Sequence, residues 1–234
     1  MNDEKDLEPR YREESAPLLR KVIAKRMLES KLNIPHFYLT VDADMEKLVA
    51  LRNELNSGGE RKISFNDLLI KAIAISLKKH PECNVSYIDE KLRYYEEINI
   101  CLAVAIDGGL LTPVIRNCDS KTLFEISDES RLLVEKARNR KLRPRDSMGG
   151  TFTLTNLGMF GIEEFMAIIN PPQALILAVG AIRDVPVVED GKVVVGKRMK
   201  MTLSCDHRAV DGAMAAAFLA DLKSTVENAE ELVK

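Results

Sequence analysis

Three histidines are the first residues to consider for acid–base chemistry, because an imidazole changes its charge near neutral pH. They are His36, His80 and His207. His207 differs from the others through its surroundings. It lies in the run DHRAVDG at 206–212, where a long apolar segment gives way to charged residues and then to a helix-like segment. Charged residues where a buried strand leaves its sheet are a frequent place for a functional site. The spacing alone supports a general base and an ordinary polar turn about equally.

Asp211 in the same run is well placed to cap the helix that follows. It could also fix the loop by pairing with Arg208 or another arginine. The other two histidines have simpler interpretations. His80 precedes a proline at the end of a predicted helix, where an imidazole suits the helix dipole. His36 begins a predicted strand, and we expect it to be structural.

A hydrolase site is the second chemistry to consider in this region. Ser204, His207 and Asp206 or Asp211 supply the residue types of a Ser-His-Asp triad. They lie within a few residues of one another, which disfavours triad geometry, and no G-x-S-x-G motif precedes a helix. Cys205 is a candidate thiol nucleophile beside His207. It continues an apolar strand, however, and is more simply a core residue.

A second group of candidates lies in the run TFTLTNLG at 151–158. In a strand, the alternation places Thr151, Thr153 and Thr155 on one face. A hydroxyl at the end of such a strand could donate a hydrogen bond to a developing oxyanion. An exposed threonine-rich face would follow from β propensity alone, and the residues by themselves favour that simpler interpretation.

Composition excludes several classes of protein. The net charge is -2, aromatic residues make up 5% of the chain and tryptophan is absent, which argues against a nucleic-acid-binding surface. No apolar run is long enough to span a bilayer, and the acidic N-terminus does not resemble a signal peptide. The cysteines form no C-x-x-C pair and no zinc-type spacing with histidine, so we expect reduced thiols, no metal site and a cytosol-like compartment. They are Cys83, Cys101, Cys118 and Cys205.

The remaining pattern predicts the elements that must position these residues. Helices are expected from residue 15 to the proline at 35, and over 45–55, 65–79, 123–140 and 212–226. Asp44 is the predicted cap of the second helix, and Ser64 with Asp67 forms a predicted capping box for the third. Strands are expected over 36–41, 84–88, 92–95, 98–106, 110–115, 151–155, 174–181, 185–188 and 193–204.

These elements mix without regular β-α-β alternation. The fold class is therefore α/β of the mixed α+β type, with a mixed sheet flanked by helices. Residues 1–14 are mostly charged and are predicted to form a flexible N-terminal arm or linker remnant. Residues 15–234 form the predicted folded domain.

Five segments, in order along the chain, resemble the dihydrolipoamide acyltransferases. These proteins are the core components of 2-oxo acid dehydrogenase complexes, and their two-layer fold is chloramphenicol acetyltransferase-like. The segments are RKVIAKRM at 20–27 with IPHF at 34–37, DGGLLTPV at 107–114, GGTFTLTNLG at 149–158, INPPQA at 169–174 and DHRAVDG at 206–212. The resemblance covers nearly the whole chain, and it makes a catalytic role for His207 the favoured interpretation.

The resemblance implies a role for each candidate in residues 15–234, the acyltransferase catalytic domain. His207 would take the proton from the thiol of coenzyme A or dihydrolipoamide, Thr155 would donate a hydrogen bond to the oxyanion, and Asp211 would fix the loop without direct proton transfer. Many acetyl-transferring members carry serine where Thr155 stands, and threonine is familiar among succinyl-transferring ones. The stretches 156–161 and 169–174 look most like pyruvate-complex enzymes and therefore favour acetyl transfer. Succinyl or branched-chain acyl transfer and a non-catalytic core scaffold are the alternatives.

The resemblance also implies substrates and partners. Coenzyme A and lipoamide would be the substrates, with lipoamide carried on a lipoyl domain that this chain lacks, and no metal is expected. The site would lie between the subunits of a homotrimer, and trimers would assemble into a cubic or icosahedral core. The other implied partners are the 2-oxo acid decarboxylase and dihydrolipoamide dehydrogenase components. The expected location is the cytoplasm, or the mitochondrial matrix in a eukaryote.

Overall fold

The structure is a computed structural model that describes residues 9–58 and 62–233. The helices are α1 (Leu18–Asn33), α2 (Glu46–Ser57), α3 (Phe65–Lys79), α4 (Leu123–Arg138) and α5 (Gly212–Glu227). The strands are β1 (His36–Asp44), β2 (Val85–Ile88), β3 (Lys91–Tyr94), β4 (Ile100–Leu102), β5 (Val104–Ile106), β6 (Gly109–Leu111), β7 (Val114–Ile115), β8 (Phe152–Asn156), β9 (Leu175–Val179), β10 (Arg183–Glu189) and β11 (Lys192–Asp206).

The predicted N-terminal arm lies largely outside the described residues. Residues 9–14, which are described, are exposed and belong to no helix or strand. The flexibility of residues 1–14 therefore stays a prediction.

The central sheet is mixed, as predicted, with the strand order β1-β11-β9-β8-β4-β7 and with β10 paired to the first half of β11. Strand β8 runs parallel to β9 and β4, whereas β11 runs antiparallel to β9. Strands β2–β3 and β5–β6 form separate two-stranded ribbons. Because β8 and β11 run in opposite directions, the chain leaves these two strands at opposite ends of the sheet.

Each face of the sheet is covered by different elements. One face carries the main core, in which Phe152 of β8 meets Phe218 of α5 with ring centroids 5.9 Å apart. The other face is covered by residues 162–170, which we call the strap, and α1 contacts the strap where the Ser30 hydroxyl donates to the carbonyl oxygen of Ile169 at 2.7 Å. A smaller apolar cluster forms beneath the strap, and Ser204 fixes the strap by donating a hydrogen bond to the carbonyl oxygen of Ala167 at 2.7 Å. The cluster consists of Ile34, Ala167, Ile169, Ile176 and Ala178.

Of the caps predicted for α2 and α3, one is confirmed and one is wrong. The capping box of α3 is confirmed, since the Ser64 hydroxyl accepts from the Asp67 N–H and the Asp67 carboxylate accepts from the Ser64 N–H. Asp44 is not the cap of α2, because the helix begins after Met45. Asp44 still belongs to β1, where its carboxylate pairs with Arg198 at 2.9 Å and accepts from the Glu46 N–H.

The strands predicted over 98–106 and 110–115 are each broken in two. Ala103 separates β4 from β5 and donates its N–H to the carbonyl oxygen of Leu154 at 2.9 Å. Pro113 separates β6 from β7, because proline has no N–H to offer a ladder. Its carbonyl oxygen accepts from the Leu102 N–H at 3.0 Å. The segment between these breaks leaves the main sheet and forms the β5–β6 ribbon.

The described residues contain neither a membrane-spanning helix nor a metal-binding cluster. No helix there is long and apolar enough to cross a membrane. No group of three or more metal-ligating side chains within 9–58 and 62–233 could hold a metal ion.

Candidate active site

The loop that carries His207 is fixed by backbone hydrogen bonds. It follows β11 and leads into α5. The His207 N–H donates to the carbonyl oxygen of Pro35 at 3.1 Å, and the Ala209 and Val210 N–H groups both donate to the carbonyl oxygen of Asp206 at 3.0 Å. The loop therefore has a defined shape at the edge where β1 begins and β11 ends.

The His207 side chain itself is exposed. Its ring lies against Phe37 of β1, with ring centroids 4.7 Å apart and an interplanar angle of 52°. Within the part of the chain that the structure describes, no group makes a hydrogen bond to the ring nitrogens. The imidazole is therefore open to a proton donor that approaches from outside the subunit.

Asp206 and Arg208, which flank His207, form an ion pair. Asp206 is 2% exposed. Its carboxylate accepts from the Arg208 N–H, from Nε and from Nη2, at 3.0, 3.0 and 2.8 Å. Hydrogen bonding to Asp206 raises the pKa of Arg208, so the guanidinium keeps its charge. A buried carboxylate requires such a partner, since an unpaired buried charge is strongly destabilising.

Asp211 serves as the predicted cap of α5. Its carboxylate accepts from the Met214 N–H at 2.9 Å. The ion pair considered between Asp211 and Arg208 does not form, because the nearer and buried Asp206 engages Arg208. Asp211 holds the end of the His207 loop through this cap.

The predicted threonine face exists, but it is buried. The hydroxyl of Thr151 exchanges hydrogen bonds with the backbone of Asn99, and that of Thr153 donates to the side chain of Gln173. Thr155 is 9% exposed, and among the described residues its hydroxyl has no hydrogen-bond partner. The interpretation of an exposed threonine face is therefore wrong, because the strap side of the sheet is covered. Thr155 differs from its two neighbours in having a free hydroxyl.

One subunit does not bring Thr155 and His207 together. Thr155 lies opposite Ala178, which lies opposite Thr202 of β11, and His207 follows five residues beyond Thr202. With roughly 3.3 Å per residue along a strand and about 4.8 Å between strands, the two residues lie roughly 15–20 Å apart. His207 and Asp211 share one loop, whereas Thr155 is at the other end of the sheet.

The alternative nucleophiles are both buried. The Ser204 hydroxyl is engaged with the strap, and Ser204 is 0% exposed. Burial raises the pKa of Cys205 to about 12, so its thiolate is scarce at neutral pH. The sequence-based preference for a core role at Cys205 is thus confirmed, and the local Ser-His-Asp arrangement is not formed.

The other two histidines have structural partners. His36 Nδ1 lies 2.8 Å from the carbonyl oxygen of Ile34, and its Nε2 accepts from the Ile169 N–H at 3.1 Å. This pattern requires a neutral ring with its proton on Nδ1. His80 ends α3 as expected and lies 3.2 Å from the Glu82 carboxylate. His36 therefore ties the strap to β1.

A comparison with family models identifies the family. Residues 8–234 match the model described as 2-oxoacid dehydrogenases acyltransferase (catalytic domain). This chain belongs to that family. The resemblance found in five short segments is thereby confirmed over nearly the full length.

Relatives of known name agree with this assignment. The chain is 46% identical over 214 residues to the dihydrolipoyllysine-residue acetyltransferase component of the pyruvate dehydrogenase complex of Rickettsia bellii, covering 90% of this chain and 51% of that protein. It is 47% identical over 222 residues to component 3 of the mitochondrial enzyme of Arabidopsis thaliana, covering 92% of this chain and 41% of that protein. The chain thus spans about half the length of the relatives it matches.

Solved structures agree as well. One describes the role of a serine, a histidine and an asparagine in the catalytic mechanism of Azotobacter vinelandii dihydrolipoamide acetyltransferase, with a TM-score of 0.90, 32% identity and coverage of 96% and 95% of the two chains. Another is the cubic core of the pyruvate dehydrogenase multienzyme complex, with a TM-score of 0.90, 33% identity and the same coverage. Chloramphenicol acetyltransferase, at 13% identity, a TM-score of 0.55 and coverage of 86% and 94%, shares the fold. The predicted fold is confirmed.

Sequence reasoning missed two aromatic residues beside the His207 loop. Phe37 contacts the imidazole, and the Arg208 guanidinium lies over the ring of Tyr87, 4.7 Å from its centre. Phe37 lies in the IPHF segment, which carried the resemblance but gave no sign of a contact with His207. No local pattern marked Tyr87, which is 121 positions before Arg208 in the chain.

Proposed function

We propose that this chain transfers an acetyl group between dihydrolipoamide and coenzyme A. The observation that carries the proposal is an exposed imidazole on a fixed loop at one end of the sheet together with a largely buried threonine at the other, whose hydroxyl has no hydrogen-bond partner among the described residues. Family membership and the names of the relatives support the same reaction.

In the proposed reaction His207 removes the proton from the attacking thiol. A thiol has a pKa of about 8.5 and an imidazole about 6.5, so complete proton transfer before attack is uphill and the two steps are best concerted. The sulfur attacks the thioester carbonyl carbon, and the carbonyl oxygen becomes an oxyanion that accepts a hydrogen bond from Thr155. The intermediate collapses when the bond to the departing sulfur breaks, and the departing thiolate takes back the proton from His207. Atoms and charges balance in either direction.

The two groups must come from different subunits. His207 and Thr155 lie too far apart in one chain to contact the same thioester, so a neighbouring copy would supply the second group. In the Azotobacter enzyme the histidine follows the serine by 52 positions and precedes the asparagine by four. Thr155, His207 and Asp211 have the same spacing, which supports their equivalent placement.

The assembly is proposed to be a homotrimer that builds a larger core. The likeness to a cubic core supports this arrangement, and an icosahedral core is the alternative. Physiological turnover would require a lipoyl domain, together with the 2-oxo acid decarboxylase and dihydrolipoamide dehydrogenase components. The proposed compartment is the cytoplasm of a bacterium, or the mitochondrial matrix in a eukaryote, as the name of the Arabidopsis relative suggests.

The first experiment tests the base. His207→Ala should lower transfer between acetyl-coenzyme A and free dihydrolipoamide by ~10²–10⁴-fold, the usual contribution of a general base. His80→Gln is the matched control and should retain the wild-type rate, because the described contacts of the His80 ring are with Glu82 and Phe218, neither of which belongs to the proposed site. Full activity in His207→Ala would refute the catalytic proposal. No transfer by the wild-type chain under the same conditions would favour the scaffold alternative.

The second experiment tests the shared site. Chains with His207→Ala and chains with Thr155→Val, co-expressed in equal amounts, should recover about a quarter of wild-type activity if they mix at random around a ring. Each variant alone should be nearly inactive. Recovery no greater than the sum of the separate variants, or an active protein that light scattering shows to be monomeric, would contradict the shared site.

The third experiment tests acyl preference. Acetyl-, succinyl- and isobutyryl-coenzyme A should be compared as donors at equal concentration. We expect the highest kcat/KM with acetyl. A preference for succinyl would agree with the threonine at 155 and would overturn the acetyl assignment.

A further inference from the structure

The His207 loop is closed by an ion pair between the residues on either side of His207. Asp206 and Arg208 bond to each other through one backbone and two side-chain donors. Because the carboxylate is buried and the guanidinium is partly covered, this pair is shielded from solvent more than an ordinary surface pair. The backbone of His207 is therefore constrained on both sides.

Arg208 in turn rests on a residue from a different part of the fold. Its guanidinium carbon lies 4.7 Å from the centre of the Tyr87 ring. Tyr87 belongs to β2, in the β2–β3 ribbon, which is not a strand neighbour of β11. A guanidinium over an aromatic face is attracted by the ring electrons, and its flat shape suits stacking. The stack thus packs the Arg208 guanidinium against the β2–β3 ribbon.

Among the described residues, few other hydrogen bonds attach the ribbon to this edge. The Ala174 N–H donates to the carbonyl oxygen of Val85 at 3.3 Å, and the Asp206 N–H donates to the carbonyl oxygen of Ala174 at 2.9 Å. The first of these bonds is long. The contact between Tyr87 and Arg208 is therefore a main side-chain link between the ribbon and the His207 loop.

We propose that Tyr87 is a positioning residue for His207, acting through Arg208 and Asp206. This inference rests on the proposed function, because it assumes that His207 is the base. Tyr87 does not touch the imidazole. It holds Arg208 in the orientation that forms both side-chain bonds to Asp206, and this ion pair holds the turn from which the His207 side chain projects.

The test compares two substitutions of Tyr87. Tyr87→Leu removes the aromatic face and should lower kcat by roughly 10- to 100-fold, since small displacements of a catalytic group have effects of this size. The KM values for coenzyme A and dihydrolipoamide should stay within about twofold, because substrate contacts are unchanged. Tyr87→Phe keeps the aromatic face and should restore kcat. Tyr94→Leu, on the paired strand of the same ribbon, is the matched control and should behave as wild type.

A double variant separates positioning from other effects. If Tyr87 acts through His207, adding Tyr87→Leu to His207→Ala should cause no further loss of rate. Wild-type kcat in Tyr87→Leu would overturn the inference, and so would an additional loss in the double variant. Equal defects in Tyr87→Phe and Tyr87→Leu would also overturn it, because the hydroxyl rather than the ring face would then matter. The proposed function fails separately, through an active His207→Ala.

Discussion

The two ends of the central sheet hold their candidate residues in opposite ways. At the β11 end, His207 has an exposed side chain on a loop whose backbone is fixed by several hydrogen bonds. At the β8 end, Thr155 is buried on a strand, and its hydroxyl has no partner among the described residues. At the β11 end the backbone is fixed and the His207 side chain is exposed. At the β8 end both the backbone and the side chain of Thr155 are fixed, and only its hydroxyl lacks a hydrogen-bond partner among the described residues.

This difference fits the two chemical tasks proposed for His207 and Thr155. A base that serves two large thiol substrates must be reachable from outside, and only its approach direction needs to be fixed. A donor that stabilises an oxyanion is most effective when it is already oriented in a poorly solvated place. The unused hydroxyl of Thr155 and the unbonded ring of His207 are thus complementary, and four predictions test the contrast.

The largest expected effect is at Thr155. Thr155→Val should lower the transfer rate by ~10²–10³-fold while leaving stability nearly unchanged, because the hydroxyl has no bond to lose. Thr153→Val should do the reverse. It should cost about 1–3 kcal/mol of unfolding free energy by leaving the side-chain oxygen of Gln173 without its donor, with a much smaller effect on rate. Transfer assays and urea unfolding of both variants measure the contrast.

Two outcomes would break this contrast. A large loss of stability in Thr155→Val would mean that its hydroxyl has a structural partner after all. Retained activity would mean that another group stabilises the oxyanion. Thr155→Ser keeps the hydroxyl and should retain most of the rate.

The next largest effect is expected at His36 of β1, which binds the strap beside the end of β11. His36→Leu removes the bonds to Ile34 and Ile169 and should cost about 1–3 kcal/mol of unfolding free energy. His80→Leu should cost less, because the Glu82 side chain that it faces is partly exposed to water. Equal losses in the two variants, measured by urea unfolding, would show that His36 is not a special anchor of the strap.

A smaller effect is expected at the cap of α5. Asp211→Ala should cost ~1 kcal/mol, the usual contribution of an N-cap, whereas Asp211→Asn should remain close to wild type because an amide oxygen also caps. Thermal unfolding measures both variants. A stability loss in Asp211→Asn as large as that in Asp211→Ala would show that the charge matters more than the cap.

The smallest effect is expected from thiol reagents. Burial raises the pKa values of Cys83, Cys118 and Cys205 to about 12. At pH 8 the folded protein should therefore react very slowly with iodoacetamide at these positions and quickly in urea. Mass spectrometry of labelled peptides decides the result. Rapid labelling of Cys205 in the folded protein would restore it as a candidate nucleophile near His207.

The sequence predicted the parts of the site that depend on local patterns. The DHRAVDG run located His207 and the cap at Asp211, and strand alternation located Thr155 on one face with Thr151 and Thr153. The burial of that face was mispredicted, because residues 162–170 have no regular secondary structure, so no pattern predicted that they cover the sheet. Local patterns describe what one strand contributes but not what covers it.

The sequence did not predict the distance between Thr155 and His207, because that distance depends on the order and direction of the strands. Nothing near Thr155 or His207 in the sequence states that β9 lies between β8 and β11, or that β11 runs against both. The break at Pro113, in contrast, could have been predicted, because a proline within an expected strand has no N–H for the ladder. The contact between Tyr87 and Arg208 depends on the placement of a separate ribbon, which no pairing pattern predicted.

The opposite directions of β8 and β11 also affect how a defective gene copy would act when it is expressed beside a normal one. In the proposed ring, each chain borders two sites and supplies a different group to each. A gene copy that damages only one end of the sheet would silence one site for every defective chain incorporated. A copy that damages both ends would silence both neighbouring sites, so such an allele would be disproportionately harmful when expressed beside a normal one.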